Sequence, residues 1–328
     1  MTRWGLLIGV LAAVVLLSLT VGVRPVSLAE AWRALTAPDL TNPDHIVVLS
    51  IRLPRIVAGL ICGAALGTAG MAMQVLTRNP LADPGVLGVN AGAAFAVTLG
   101  SLLLQRADAG FLAYLAFPGA AAATVAVFSL GGGFRGDASP VRLTLAGAAL
   151  NALLVSLVSA VVLMRGDTLE VVRFWVVGSL ADAGARPIAA MAMAAGGGLA
   201  LLFALAPRIE SLALGAALSR GLGTHPGRVQ AGVLVSVTLL TGAAVALAGP
   251  IAFLGLMAPP IARKIVGAAL RPGLVASALL GAVVLLFADT LGRLVFAPAE
   301  IRAGVMTALV GGPAFVLIAR RLSPGGTS

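Results

Sequence analysis

The chain is a succession of apolar runs, each about 20 residues long, separated by short breaks that carry charged residues, glycine or proline. A helix needs about 20 mostly apolar residues to cross the hydrocarbon core of a bilayer. The pattern therefore predicts ten transmembrane helices joined by short connections. The predicted helices cover residues 5–23, 57–75, 86–104, 112–130, 143–163, 188–206, 229–248, 251–266, 274–296 and 304–319.

The composition is typical of a membrane protein and excludes an ordinary soluble domain. Of the 328 residues, 59% are hydrophobic and 10% are charged, and the mean hydropathy is +1.06. Soluble domains have about 45–50% apolar and about 25% charged residues. A large soluble catalytic domain has no stretch in which to fit. We expect an all-α integral membrane protein whose residues 1–328 form a single transmembrane domain.

The net charge of +10 does not indicate nucleic-acid binding, because the basic residues occur singly or in pairs between apolar runs. Arginine next to the anionic cytoplasmic leaflet explains the pattern better. The basic residues divide almost evenly between the two sides, but Arg320 and Arg321 after the last run favour a cytoplasmic C-terminus. We expect the first run to be retained as a span, because no small-residue cleavage site follows it.

Two connections are long enough to contain helices of their own. Residues 24–55 include a predicted surface helix at about 28–35. Residues 207–228 have apolar positions followed by glycines, which predicts a pair of short helices at the membrane surface, with a plain solvated loop as the alternative. Segments 79–88 and 249–259 are both interrupted by proline and glycine at corresponding points of the two halves, as in transporters built from internal repeats.

The sequence lacks the residues on which common catalytic chemistry depends. His45 and His225 lie in predicted loops, and no cysteine–histidine cluster has the spacing of a metal site. Lys264 is the only lysine, so the sequence contains no GxxxxGK[ST] phosphate-binding loop and cannot hydrolyse ATP by that route. No run of carboxylates within the spans suggests a proton relay, although Asp289 lies near one span. We expect a protein that is not an enzyme.

Seven motifs distributed along the chain are long and distinctive. They are RLPR (52–55), AGLICGAALGTAGMAMQVLTRNPLADPGVLGVNAGA (58–93), SPVRLTLAGAALN (139–151), VRFWVVGSL (172–180), GPIAFLGLMAPPIAR (249–263), LLFADTLGRL (285–294) and EIRAGVMTALVGGPAFVLIARR (300–321). In these motifs the chain resembles the FecCD-type permease subunits of type II ATP-binding-cassette importers for iron–siderophores, haem and vitamin B12. Within that family it is most similar to ferric-siderophore permeases of the ferric-enterobactin kind. One departure is Pro260, where the family often has histidine.

The resemblance implies the type II importer permease fold, with ten helices in one subunit and two subunits, identical or related, lining one translocation path. It implies two cytoplasmic ATPase subunits that bind Mg-ATP, so this chain needs no cofactor of its own. A periplasmic or lipid-anchored binding protein delivers the chelate from outside. The resemblance also places the multi-pass chain among the lipids of the bacterial cytoplasmic (inner) membrane, with both termini cytoplasmic.

Three arginines are implied to dock the binding protein. Arg52, Arg55 and Arg293 match external arginines that pair with glutamates of that protein in the family. The planar, permanently charged guanidinium suits a carboxylate, and charges at the rim of an interface guide encounter and register. The alternative is that these arginines anchor helix ends at the lipid headgroups.

The connection between the sixth and seventh predicted helices is implied to contact the ATPase. Its segment 210–223 matches the family's paired coupling helices, which sit in a cleft on the ATPase. Closure of the ATPase dimer on ATP would push on them. Glu210, Gly215, Leu218, Gly221 and Gly223 are the expected contact or hinge residues.

Uncharged polar residues in or near the spans have two interpretations. They are Gln74, Asn79, Asn90 and Asn151. Hydrogen bonding between helices is one interpretation, and lining of the translocation path is the other. A path for a bulky chelate should bind it weakly, so we expect no dedicated substrate ligand and no metal site. Asp289 and Arg263 are either internal charge partners or residues at helix ends.

The expected function is the permease subunit of an importer for an iron chelate, a ferric siderophore, that works by alternating access driven by a separate ATPase. Haem or vitamin B12 importers of the same family are alternatives, because the sequence does not name the chelate. A secondary transporter driven by ions would need buried carboxylates, and an intramembrane enzyme would need a catalytic constellation within the spans. Whether two identical or two related permeases pair stays open.

Overall fold

The protein is a bundle of α-helices in the computed structural model, which describes residues 3–133, 140–164, 170, 172–173, 175–213, 219, 221 and 224–322. The helices are α1 Arg3–Thr20, α2 Leu28–Thr36, α3 Pro43–Ile46, α4 Leu53–Thr77, α5 Val89–Leu104, α6 Ala109–Leu130, α7 Pro140–Met164, α8 Ile188–Ala213, α9 Pro226–Ala248, α10 Leu254–Val266, α11 Leu270–Val295 and α12 Ala303–Leu322. A π-helical stretch, Val47–Arg52, joins α3 to α4, and short 3₁₀ turns lie at Pro84–Leu87 and Ala183–Ala185.

The prediction of about ten membrane helices is confirmed, because a helix lies at each predicted span. Seven of the described helices are long and apolar enough to cross a membrane on their own. Val89–Leu104 and Ala303–Leu317 are shorter apolar helices, and α10 has 13 residues. The predicted surface helix at about 28–35 is α2, which begins after the capping residue Ser27.

The sixth predicted helix is longer than the sequence pattern indicated. We expected it to end at residue 206, before a separate coupling helix, but α8 continues through Pro207 to Ala213. A proline removes only one backbone hydrogen bond of its helix, so the helix continues through Pro207. Glu210 therefore lies in the last turn of α8 and does not begin a new helix, which corrects that boundary.

The core of the bundle is α4, which packs against α8, α9, α10 and α11. Its contact with α11 is close because glycines of the two helices face each other. A Cβ on Gly63 would lie 2.5 Å from the Cα of Ala282, and a Cβ on Gly281 would collide with the carbonyl oxygen of Gly63. Helices in lipid gain much of their contact through such small residues, since they gain no hydrophobic energy by leaving lipid for each other.

The helix ends gather at two faces. At the N-terminal face, Arg3 of α1 donates to the carbonyl of Ile265 at 2.7 Å, and Arg78 after α4 donates to the carbonyl of Leu212 at 2.7 Å. The opposite face holds the end of α1, the start of α4 and the end of α11. Because α12 begins at the opposite face and its 20 residues span about 30 Å, both described ends of the chain lie at the N-terminal face.

Candidate functional site

Two interrupted segments meet inside the bundle. The segment 79–88 follows α4, and the segment 249–259 runs from the end of α9 into the first half of α10. Asp83 Oδ1 accepts a hydrogen bond from the Gly85 backbone N–H at 2.7 Å and so caps the turn Pro84–Leu87. A Cβ on Gly255 would lie 2.9 Å from Pro84 and 3.2 Å from Asp83 Oδ2, so the two segments touch. Irregular backbone at membrane depth is tolerated where protein buries it, and transporters place such breaks near their paths.

Gln74 compensates for two adjacent prolines in α10. Pro259 and Pro260 have no N–H, so the carbonyls four residues earlier lose their donors within the helix. Those carbonyls belong to Gly255 and Leu256, and the side-chain Nε2 of Gln74 donates to both, at 3.4 Å each. One side chain of α4 therefore serves both carbonyls that the proline pair leaves free.

The same glutamine orients Arg263. Gln74 Oε1 accepts a hydrogen bond from the Arg263 guanidinium, and the buried Nε of Arg263 has no partner within the described residues. The interpretation of Gln74 as a residue that bonds between helices fits this geometry, because the side chain is buried and links α4 to α10. A role of Gln74 in lining the path stays a prediction.

A buried ionic cluster lies at the opposite face. Arg55 donates from Nε to Asp289 Oδ2 and from Nη2 to Asp289 Oδ1, both at 2.8 Å, and from Nη1 to Glu300 Oε2 at 2.8 Å. Arg55 and Asp289 are buried, whereas the Glu300 side chain is 35% exposed. This is the fork-on-carboxylate arrangement that gives strong, oriented ion pairs. Asp289 is therefore an internal charge partner.

The other two predicted docking arginines cap the end of α1. Arg52 donates to the backbone carbonyls of Leu19 and Arg24. Arg293 donates to the carbonyl of Val21 at 3.0 Å and to Ser18 Oγ at 2.7 Å. The last carbonyls of a helix have no partner within it and carry partial negative charge, so cations there are favourable.

The predicted docking arginines are thus buried and bonded within the chain. Arg52, Arg55 and Arg293 are each no more than 4% exposed. Glu300 is the exposed member of the cluster, so its carboxylate is more accessible at this face than the guanidinium of Arg55. Docking of a binding protein by the three arginines stays a prediction.

The predicted coupling segment is described in part. Gly215, Leu218 and Gly223 lie outside the described residues, and Gly221 is helical and exposed. Glu210 Oε1 accepts from the backbone N–H of Leu270 at 2.8 Å and so caps the start of α11.

The ends of this segment are close together in space. Ser211 Oγ and Thr224 Oγ1 are 3.1 Å apart, within hydrogen-bond distance. Since Arg78 also bonds Leu212, the end of α8 is tied to α4, to α11 and to the start of α9. The contact roles of the five predicted coupling residues stay predictions.

The three asparagines lie in different surroundings. Asn79 is exposed, and its Oδ1 accepts from the Leu81 N–H at 2.9 Å, which fixes the turn after α4. Asn90 is half-buried beside Asp83, next to the contact between the two interrupted segments. Asn151 is exposed on α7.

A cavity of about 330 Å³ opens at the opposite face, between the starts of α6, α8 and α12. Its lining has charges of both signs, from Asp182, Arg186 and Arg302, together with Trp175. Within the described part of the chain, no three His, Cys, Asp or Glu side chains are placed to hold a metal ion.

Sequence reasoning missed several residues of these sites. Glu300 and Ser18 are partners of predicted residues, and Arg78 bonds Leu212 close to the predicted Glu210. Their positions in the sequence carry no signal of those contacts. Pro259 and Pro260 did carry a signal, since two adjacent prolines must free two carbonyls of a helix. That signal predicts a donor nearby, but not which helix supplies it.

Comparison with known proteins identifies the family. The FecCD transport family matches residues 10–321 of the chain. The chain belongs to the FecCD transport family. It is therefore a multi-pass membrane permease of a transport family, and the resemblance found in the sequence motifs is confirmed.

The relatives of this chain are named for the transport of different iron chelates. The chain is 42% identical over 312 residues to the ferric enterobactin permease FepD of Escherichia coli K12, covering 94% of this chain and 92% of that protein. It is 38% identical over 305 residues to the iron(3+)-hydroxamate permease FhuB of Bacillus subtilis, covering 93% and 79%. It is 35% identical over 320 residues to the Fe(3+) dicitrate permease FecC of Escherichia coli K12, covering 97% and 96%.

The fold is also that of solved transporters. A protein assigned to the metal-chelate type of ABC transporters, in an inward-facing conformation, superposes with a TM-score of 0.82 and 27% identity over 98% of each chain. The PsaBC structure from Streptococcus pneumoniae superposes with a TM-score of 0.59 at 15% identity, which shows a shared fold.

Proposed function

We propose that this chain is the permease subunit of an ABC importer that moves an iron chelate, a ferric siderophore, across the cytoplasmic membrane. The observation that carries the proposal is the family match over residues 10–321 together with the 42% identity to a ferric enterobactin permease. The bundle accords with this role, because its interrupted helices meet at the core and its helix ends form two separate faces. Haem and vitamin B12 importers of the same family are the alternative substrates.

ATP is hydrolysed by separate subunits in this proposal, and Mg-ATP binds to them and not to this chain. The absence of a phosphate-loop lysine from the sequence supports it. We place the two ATPase subunits at the N-terminal face, where residues 214–225 connect α8 to α9. Both chain termini are then cytoplasmic, since both described ends lie at that face.

A second permease subunit, identical or related, completes the path in this proposal. The support is α7, which packs on α5 and α6 along one side and is exposed elsewhere. Thr144, Ala148, Asn151, Val155 and Ser159 form an exposed, small and partly polar stripe at helical spacing. Asn151 in the middle of this stripe is an exposed amide. An amide within a span usually faces protein or a water-filled path, because lipid offers it no hydrogen bond.

The binding protein docks at the opposite face in this proposal and releases the chelate near the mixed-charge cavity. Alternating access then needs partners that bind the outward and inward states differently, because a ligand shifts an equilibrium only by its differential affinity. ATP on the ATPase and the docked binding protein would supply that difference.

An ion-driven secondary transporter is the competing class. Asp289 is fully buried, as a proton site would be, but both its oxygens are bonded to Arg55. A carboxylate held in such a pair is a poor proton carrier, because protonation would leave the guanidinium uncompensated.

The test is uptake of radioactive ferric siderophore by proteoliposomes containing the permease with its ATPase and binding protein. We expect uptake that requires ATP, persists when ionophores dissipate the proton gradient, and stops without the binding protein. Uptake that survives ATP depletion but collapses with the proton gradient would establish a secondary transporter instead. Haem or cobalamin in place of the siderophore tests the alternative substrates.

A further inference from the structure

The short helix α2 at the opposite face is amphipathic and has four distinct sides. Ala31 and Ala34 are fully buried on the side of α2 that packs against α1, α3 and the π-helical stretch Val47–Arg52. Leu28, Trp32 and Leu35 are 55%, 66% and 41% exposed. Their spacing of four and three residues puts them on one ridge of the helix.

The directions of these sides follow from 3.6 residues per turn. The ridge lies about a quarter turn from the buried alanines and nearly opposite Arg33 and Glu30. The small residues Ala29 and Thr36 occupy the remaining side. A helix with protein on one flank, apolar ridge on the next side and charges opposite that ridge is typical of helices lying in a membrane interface.

The polar side of α2 faces other polar residues, which identifies it as the side directed toward water. Glu30 Oε1 accepts from Asn42 Nδ2 at 2.8 Å and lies 3.0 Å from His45 Nε2. Asp39 in the connection to α3 and Asp44 in α3 belong to the same polar region, and Asp44 pairs with Arg24. The ridge points away from this polar region.

The neighbouring surface of α1 continues toward the bilayer. Leu16 and Leu17 in its last turns are each 46% exposed, and α2 packs beside α1. An exposed tryptophan with two leucines at the end of a span is the composition of the aromatic belt at membrane surfaces.

We propose that α2 is an interfacial anchor, with Leu28, Trp32 and Leu35 inserted among the lipid acyl chains and Arg33 in the water above them. The occupant of the exposed ridge is thus the lipid surface. The anchor fixes the depth of the opposite face, because the buried side of α2 rests on the end of α1. The inference needs only that the chain spans a membrane, so it stands or falls independently of the substrate and the energy source.

The test measures the depth of single residues of α2 in a bilayer. Cys62 is the sequence's only cysteine, so a Cys62→Ala background accepts one new cysteine for a nitroxide label. Trp32→Cys, Leu35→Cys and the matched control Arg33→Cys place the label on the ridge and on the polar side of the same helix. The full-length chain, with the subunits that purify with it, is reconstituted in phosphatidylethanolamine–phosphatidylglycerol vesicles.

For each label we compare the collision rate with oxygen, which concentrates in lipid, to the collision rate with a water-soluble nickel chelate. We expect this ratio to be several times higher at positions 32 and 35 than at position 33. Equal accessibility at positions 32 and 33, or the reverse order, would overturn the anchor. Nickel access at position 32 that is lost only when the binding protein is added would overturn it in favour of a protein partner. Because all three positions are exposed, the labels should not disturb folding, and unchanged gel-filtration profiles check this.

Discussion

Single polar side chains in this bundle satisfy backbone groups that helix ends and prolines leave without partners. Arg52 and Arg293 bond the carbonyls at the end of α1, and Gln74 bonds the two carbonyls freed by the prolines of α10. A buried backbone group without a partner costs free energy comparable to a lost hydrogen bond, and lipid offers none in exchange. The presence of these polar residues in the spans is therefore explained by the backbone carbonyls that they bond.

The role of Gln74 leads to a measurable coupling with Pro260. Gln74→Leu should lower the free energy of unfolding by about 2 kcal/mol, because buried groups lose their partner. Pro260→Ala gives the Leu256 carbonyl an N–H donor, so Gln74→Leu should cost less in that background. Thermal unfolding in detergent of the four combinations measures the difference.

The control is Thr77→Val, which removes a hydroxyl that bonds only Met73 of the same helix among the contacts described. Thr77→Val should lower the free energy of unfolding by the same small amount whether residue 260 is proline or alanine. Equal costs of Gln74→Leu in both backgrounds would show that the glutamine does not compensate for the proline.

The buried pair of Arg55 and Asp289 leads to a second prediction. Asp289→Leu should lower the free energy of unfolding by about 3–5 kcal/mol, because it leaves a buried guanidinium short of its main partner. Arg55→Met combined with Asp289→Leu should recover part of that loss. Arg106→Ala removes the exposed pair with Asp108 at the same face and should change stability little.

The docking hypothesis predicts another outcome for the same arginine. If Arg55 serves the binding protein directly, Arg55→Met should weaken binding of that protein while leaving the unfolding temperature unchanged. A large loss of stability with unaltered binding by the folded fraction would assign Arg55 to the internal cluster alone. Titration of the binding protein against the reconstituted permease, beside thermal unfolding, separates the two roles.

Among the helices, α8 is tied through its end to two neighbours at the N-terminal face. Arg78 connects it to α4, and Glu210 connects it to α11. Since α4 and α11 form the most extensive helix contact among the described residues, a push on the segment after α8 has a short route into the bundle. Such a route requires bonds that hold while the helices move together.

These ties predict a loss of coupling when they are cut. Under the proposed function, Arg78→Ala and Glu210→Ala should leave ATP hydrolysis by the assembled complex largely intact and lower uptake per ATP by about five-fold or more. Glu210→Gln keeps an oxygen that can accept from Leu270 and should behave like the unaltered protein. Parallel assays of phosphate release and siderophore uptake in proteoliposomes give the ratio.

Arg3→Ala is the matched control for Arg78→Ala. It removes the same kind of bond, from an arginine to a carbonyl in the last turn of a helix at the same face, but it does not touch α8. An equal loss of uptake per ATP in both variants would mean that helix capping in general matters, and not the tie to α8.

For the whole molecule, α7 is the helix that the rest of the chain covers least. Its contacts with α5 and α6 leave both the small, partly polar stripe and an apolar side with Leu145, Leu153 and Leu157 exposed. Two such different exposed sides predict two different neighbours. The apolar side suits lipid, and the stripe suits a second subunit and the path between subunits.

A cysteine on the stripe should report that second subunit. In a Cys62→Ala background, Ala148→Cys should form a disulfide or a short maleimide crosslink across two permease subunits in membranes. Leu153→Cys, on the apolar side of α7, should not crosslink at the same reagent concentration. If the partner is a related chain, the crosslink appears only when that chain carries a cysteine at the matching position. Crosslinking at position 153 and not at 148 would reverse the assignment of the two sides.

The sequence by itself determined the membrane location, the approximate positions of the ten helices, the surface helix α2 and the family. These properties depend on contiguous stretches of sequence. The free energy of transferring an apolar run into lipid depends on that run alone. A long motif likewise identifies a family without any knowledge of which residues touch it in the fold. The lack of a phosphate-loop lysine is equally a property of the sequence alone.

Only the tertiary structure decided which side chains meet. Gln74 and the carbonyls it bonds are 181 and 182 residues apart, and Arg55 and Asp289 are 234 residues apart. A charged residue at the end of an apolar run has the same sequence signature whether it faces a partner protein, a lipid headgroup or a carbonyl of another helix. Contacts between helices depend on how the helices pack, and close approach at glycines such as Gly63 and Gly281 sets that packing. For this reason the sequence could place three arginines at one face, while the structure was needed to find them buried there.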